Sequence, residues 1–135
     1  MKGPPVDAAQ AVRLAAEAAS AVKPDSLVVL DLRGLCAFTD YFLIASAGTQ
    51  RQVRALGERV REGLAAAAVR LLHHEGGVDG PWILLDYADF VVHIFDSETL
   101  RYYDLERLWG DAPRTVWVWE GMPVPAAARR DASAP

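Results

Sequence analysis

The segment WILLDYADFVVHIF, residues 82–95, constrains the fold more than any other part of the chain. Two apolar runs alternate about Ala88-Asp89, the pattern of a β-hairpin with a two-residue turn. With that turn, Tyr87 pairs with Phe90, Asp86 with Val91 and Leu84 with His93. Ile83, Leu85, Tyr87, Phe90, Val92 and Ile94 then share one face, apolar but for a phenol. Trp82, Leu84, Asp86, Val91, His93 and Phe95 share the other. Side chains alternate with period two, so a one-residue change in loop length would scramble both sets. On the mixed face Asp86 and His93 become diagonal neighbours, about 7–8 Å apart at the backbone and within side-chain reach. Asp89 is assigned to the turn.

The rest of the chain supplies cover for such a hairpin. Residues 1–6 read as a disordered lead-in. Asp7 and Gln10 then form a capping-box pattern ahead of an Ala-rich helix with Val12, Ala15, Ala16, Ala19 and Val22 on one side. Lys23-Pro24 closes it. LVVLDL (27–32) and YFLIASA (41–47) are apolar throughout, as in strands covered on both faces, and RGLCAFTD connects them. Thr49 and Gln52 open a second helix with Val53, Leu56, Val60, Leu64 and Ala67 at helical spacing. VRLLHHE (69–75) fits either its last turns or a short strand. Residues 97–109 read as a short helical region with Leu100, Tyr103, Leu108 and Trp109 inward, and 114–119 as an edge strand. The tail from Met122 reads as disordered.

Composition narrows the function classes. At 135 residues and 52% hydrophobic, the chain is the size of one domain. No apolar run approaches the ~20 residues of a membrane span, and MKGPPVDAAQ lacks the apolar core of a secretion signal. Cys36 is the only cysteine, so no internal disulfide or thiolate cluster can form, and a reducing, cytoplasmic setting is expected. Net charge is −4, unevenly spread. Five arginines lie between Arg51 and Arg70 against Glu58 and Glu62. From Glu75 to Glu106 there are eight carboxylates (Glu75, Asp79, Asp86, Asp89, Asp96, Glu98, Asp104, Glu106) against Arg101 alone. Such a segment repels phosphates and favours a basic partner, so direct nucleic-acid readout is not expected.

Catalytic readings are weaker. Ser46–Thr49 runs from a strand into a helix start, where free N–H groups could hold a phosphate, and Asp86 with Asp89 could offer metal-binding carboxylates. One glycine is a faint phosphate signal, however, and the two aspartates straddle a turn. Ser46 lacks the G-x-S-x-G surroundings of a nucleophile. Cys36 sits in an apolar setting that suits a structural thiol. His73 and His74 are adjacent, so on a strand they face opposite ways. A recognition surface needs less: rigid aromatic anchors, a polar rim and complementary charge. Trp82, Tyr102, Tyr103 and Trp109 are the candidate anchors, of which Trp109 and Tyr103 read better as core and Trp82, on the mixed face, as surface. A homodimer through an exposed apolar hairpin face is a third reading.

TDYFLIASAGTQRQVRAL (39–56), EG (75–76) and GPWILLDYADFVVHIFDSETLRYYDLERLW (80–109) resemble the ribosomal silencing factor (RsfS, or Iojap) family, in its order and spacing, from about Val6 to Ala112. The resemblance implies an α/β domain over residues 1–112 with a mixed sheet flanked by helices, similar in outline to a nucleotidyltransferase core but without transferase activity. Residues 113–135 would be a C-terminal extension. It further implies binding to the large ribosomal subunit through its universal fourteenth protein (L-fourteen), blocking of the small subunit, and translational repression under nutrient limitation, with no cofactor or metal. Position by position, Trp82, Asp86, Tyr87, Asp89, His93, Tyr102, Tyr103, Glu106, Glu75 and Tyr41 match the family pattern and are the candidate partner-binding residues. Ala88 departs from it, standing where the family often has glycine.

Overall fold

The computed structural model describes residues 6–76, 80, 82–103 and 114–116, with side chains left out for 101–103 and 114–116. The first helix, α1 (Ala8–Ser20), begins where the capping box places it. Asp7 accepts from the Gln10 N–H at 2.8 Å, and the Gln10 side chain accepts from the Asp7 N–H at 3.3 Å. A cap of this type contributes about 1 kcal/mol. Ala11, Val12, Ala15, Ala16 and Ala19 form its buried stripe. Val6 also packs against that core, from the position where an apolar residue staples a helix start. The expected lead-in of residues 1–6 is therefore corrected at Val6, while residues 1–5 lie outside the described residues.

Strands β1 (Ser26–Asp31) and β2 (Tyr41–Ala47) pair antiparallel, Ser26 opposite Ser46 and Asp31 opposite Tyr41. The second helix, α2 (Gln50–Ala66), starts at Thr49, whose hydroxyl oxygen accepts from the Gln52 N–H at 3.1 Å. Its end settles the ambiguity of residues 69–75. Ala68 turns left-handed at φ +61°, its N–H donates to the Ala65 carbonyl, and the Val69 N–H reaches back to that of Leu64 at 2.9 Å. That is a Schellman closure with alanine where glycine is usual, which is why no stop signal shows in the sequence. The chain then forms β3 (His73–Glu75), an edge strand rather than further helix.

The hairpin forms in the expected register. β4 (Trp82–Asp86) pairs antiparallel with β5 (Phe90–Asp96), Asp86 opposite Val91, Leu84 opposite His93 and Trp82 opposite Phe95. The Tyr87 N–H donates to the Phe90 carbonyl, closing a loop of Ala88 and Asp89. Within it the Asp89 N–H bonds the Tyr87 carbonyl at 2.9 Å and Ala88 sits at φ +72°. This tight γ-turn is uncommon and strained for a residue with a Cβ. Ala88→Gly is therefore expected to raise stability by about 0.5–1 kcal/mol, seen as a higher urea midpoint at unchanged slope. A lower midpoint would mean that the turn carries no such strain.

After β5, the Asp96 carboxylate accepts from the Thr99 N–H at 2.8 Å, at the start of α3 (Ser97–Tyr103). The Ser97 hydroxyl donates to Asp25 at 2.5 Å, tying that start to the beginning of β1. Arg114–Val116 forms β6, antiparallel to β1. The remainder of the expected 97–109 and 114–119 elements, with Leu108 and Trp109, lies outside the described residues.

The result is one mixed sheet in the order β3-β4-β5-β2-β1-β6, with β2 and β5 parallel at its centre. Helices α1 and α2 cover one face over Leu27, Val29, Leu43, Ala45, Leu85, Phe90, Val92 and Ile94. The other face carries a smaller cluster of Val28, Leu30, Leu32, Ile44 and Phe95, with Leu100 of α3 packed on it. Cover on both sides is what the unbroken apolar texture of β2 requires. The apolar hairpin face lies beneath α2, with Ile83 and Ile94 against Gly57. It is not an exposed surface, so it cannot support the homodimer reading.

Candidate functional site

The mixed hairpin face is where polar and aromatic side chains gather. Trp82 is half-buried and its indole N–H donates to Nδ1 of His93 at 3.3 Å, across the diagonal of the β4–β5 ladder. The imidazole lies nearly parallel to the rings of Trp82 and Phe95, with centroids 6.1 and 6.2 Å away. Phe42 meets it edge-on at 4.6 Å. With Nδ1 accepting, the neutral ring carries its proton on Nε2, which is buried and has no partner among the described residues. Burial among aromatic rings disfavours the imidazolium, and the His93 pKa falls to about 4. His93 is thus a neutral acceptor that orients the tryptophan.

Asp86 is not the partner of His93, although the register makes them diagonal neighbours. Its Oδ1 accepts from the Ala88 N–H at 2.8 Å. The carboxylate that serves the turn is therefore that of Asp86, an Asx-type closure, and not that of Asp89. Asp89 contributes its carbonyl, which accepts from the Asp40 N–H at 2.8 Å, and its side chain stays exposed. On the neighbouring edge strand, His73 pairs opposite Asp86 and Glu75 opposite Leu84. Both are exposed, and His73 Nε2 lies 2.9 Å from the Glu75 carboxylate. The mixed face thus carries acidic side chains at both ends, Glu75 diagonal to Trp82 on the edge strand and Asp86 with Asp89 at the turn.

Two candidates do not belong to this surface. Tyr41 and Tyr87 are 7% and 6% exposed within the helix-side core. The Tyr87 ring stacks on Phe90 at 5.0 Å and burial pushes its phenol pKa up, while Arg33 lies over the Tyr41 ring at 5.4 Å. Both occupy fold-supporting positions, where little side-chain surface is left for a partner. Tyr102 and Tyr103 fall on the last turn of α3, where only the backbone is described, and Glu106 lies outside the described residues. Phe42 joins the site unannounced. Its place beside His93 follows from β2 lying parallel to β5, a neighbour that no local pattern reveals.

The enzyme-like features disperse. The Ser46 hydroxyl is buried and lies 2.6 Å from that of Ser26, and Thr49 caps α2. Asp86 is committed to the turn. Among the described residues, no three His, Cys, Asp or Glu side chains come together as a metal-binding group. No helix among them is long and apolar enough to cross a membrane.

Comparison with known proteins bears on what such a face serves. The family model described as ribosomal silencing factor during starvation matches residues 5–135. The chain is 33% identical over 102 residues to the ribosomal silencing factor RsfS of Bacillus subtilis, spanning 76% of this chain and 86% of that one. To the RsfS of Chromobacterium violaceum it is 36% identical over 98 residues, 73% of this chain and 80% of that one. A crystal structure of a protein from Chromobacterium violaceum superposes with a TM-score of 0.75 at 31% identity, covering 90% of this chain and 97% of the other. With its mixed sheet, its helices and a match that runs nearly its whole length, the chain belongs to the RsfS family of ribosomal silencing factors.

Proposed function

We propose that this chain represses translation without catalysis. It binds the large ribosomal subunit at L-fourteen, in the cytoplasm under nutrient limitation, and so prevents the small subunit from joining. The observation that carries the reading is the mixed hairpin face. A half-buried indole is held in one orientation by His93, on a hairpin face that also carries Glu75 on its edge strand and Asp86 and Asp89 at its turn. A pre-oriented aromatic on an acidic hairpin suits a basic protein surface, because little side-chain freedom remains to be lost on docking.

Joining of purified subunits on sucrose gradients, with and without the protein, tests the reading. Joined ribosomes should fall as the protein is added, and normal joining at saturation would refute it. Trp82→Ala should weaken binding to the large subunit by about 2 kcal/mol or more. For the charge, Asp86→Asn is the informative change, since an amide oxygen can still accept from the Ala88 N–H. Wild-type affinity in both folded variants would place the interface elsewhere.

A further inference from the structure

The loop joining β1 to β2 presents the most exposed aromatic side chain among the described residues. Phe38 is 77% exposed and Leu35 is 50% exposed. The segment that carries them is well anchored. The Leu32 side chain is fully buried, and its carbonyl accepts from the N–H groups of Leu35 and Cys36 at 2.9 and 3.0 Å. The turn runs through Gly34 at φ +83°. Cys36 packs against the second-face cluster, and Thr39 is 4% exposed. The Leu32 N–H donates to the Asp40 carbonyl at 2.8 Å, closing the loop at its base. Phe38 is therefore held outward by an anchored loop.

Charge and position say what it meets. Arg33 and Asp31 neutralise each other through bonds of 2.9 and 2.7 Å. Arg33 also lies within electrostatic reach of Asp40, Arg61 reaches Tyr87 beside the turn, and Arg114 is placed opposite Leu30. Asp40 and Asp89 nevertheless form no ion-pair contact among the described residues. The Asp40 N–H to Asp89 carbonyl bond also joins the loop to the hairpin turn, at the border of the proposed interface. An apolar anchor on a loop joined to a turn with carboxylates outside any ion-pair contact complements an apolar cleft rimmed by lysine or arginine.

We propose that the 32–40 loop is a second docking point, with Phe38 and Leu35 entering an apolar cleft on a basic protein of the large subunit while Asp40 and Asp89 meet its cations. The proposal rests on the silencing reading above and extends its contact surface beyond Trp82. It is tested with purified large subunits immobilised on a biosensor, using the full chain and its Phe38→Ser, Phe38→Leu and Trp82→Ala variants. Phe38→Ser should reduce affinity at least about ten-fold at an unchanged melting temperature. Phe38→Leu should stay within about three-fold of wild type, because a leucine still fills an apolar cleft. If Phe38→Ser binds as wild type while Trp82→Ala loses affinity, the loop proposal is overturned and the silencing reading stands. If the wild-type chain does not bind, both fall. If Phe38→Ser instead converts a sedimenting dimer to monomer with subunit binding intact, the loop joins copies of this chain and the proposal is likewise overturned.

Discussion

Acidification from pH 6.5 to 4 is expected to remove about 3 kcal/mol of folding stability through His93 alone. Unfolded, its imidazole titrates near pH 6.5. In the folded protein its pKa lies at about 4, because burial disfavours the charged ring. Between those values the unfolded chain binds the proton and the folded chain does not, so stability rises with pH across the interval. The contribution is complete above pH 6.5 and is lost as the pH falls towards 4. At about 1.4 kcal/mol per pH unit, the interval amounts to the stated loss. Urea melts at half-unit steps would measure it, with His93→Phe as reference because it retains an aromatic ring and cannot titrate. The wild-type curve should fall more steeply than the variant's between pH 6.5 and 4. Coincident slopes would mean that His93 is not held neutral by the fold. The same experiment bears on recognition, since protonation removes the lone pair that accepts from the Trp82 indole.

Gly76→Ala should cost about 2–4 kcal/mol and release the sheet edge that supports Trp82. Gly76 follows β3 at φ +90°, where a Cβ is strained. The added methyl would stand 2.1 Å from the Trp82 carbonyl oxygen and 2.9 Å from the Ile83 Cα. These obstacles are backbone atoms of β4, so no side-chain rotation relieves the clash. Either β3 leaves β4 or the start of β4 moves, and each displaces the strand end that carries the indole. Equilibrium melts would give the cost, and amide exchange would show faster opening at 73–75 and 82–86. Affinity for the large subunit should fall as well, although Gly76 touches no partner in the proposed docking. A variant within 0.5 kcal/mol of wild type, with protected edge amides, would refute the close packing of Gly76 on β4.

The hairpin was legible because its information is local. Alternation about Ala88-Asp89 points to the pairing, and a one-residue shift would separate Leu85 from Phe90 and Val92. The starts of α1 and α2 were legible for the same reason, since each depends on a side chain and an N–H three residues apart. Long, specific motifs also carried the family likeness. The end of α2 was not legible, because Ala68 adopts a left-handed turn that composition does not advertise. Nor was the division of labour within the site. That Asp86 binds the turn, that Trp82 takes His93 as its acceptor, and that Tyr41 and Tyr87 are core depends on which strands and helices lie alongside. The sequence by itself determined the hairpin, its two faces and the family. The tertiary structure alone decided which side chains remain available to a partner. Availability depends on non-local packing, above all on β2 lying parallel to β5 and on α1 and α2 covering one face of the sheet.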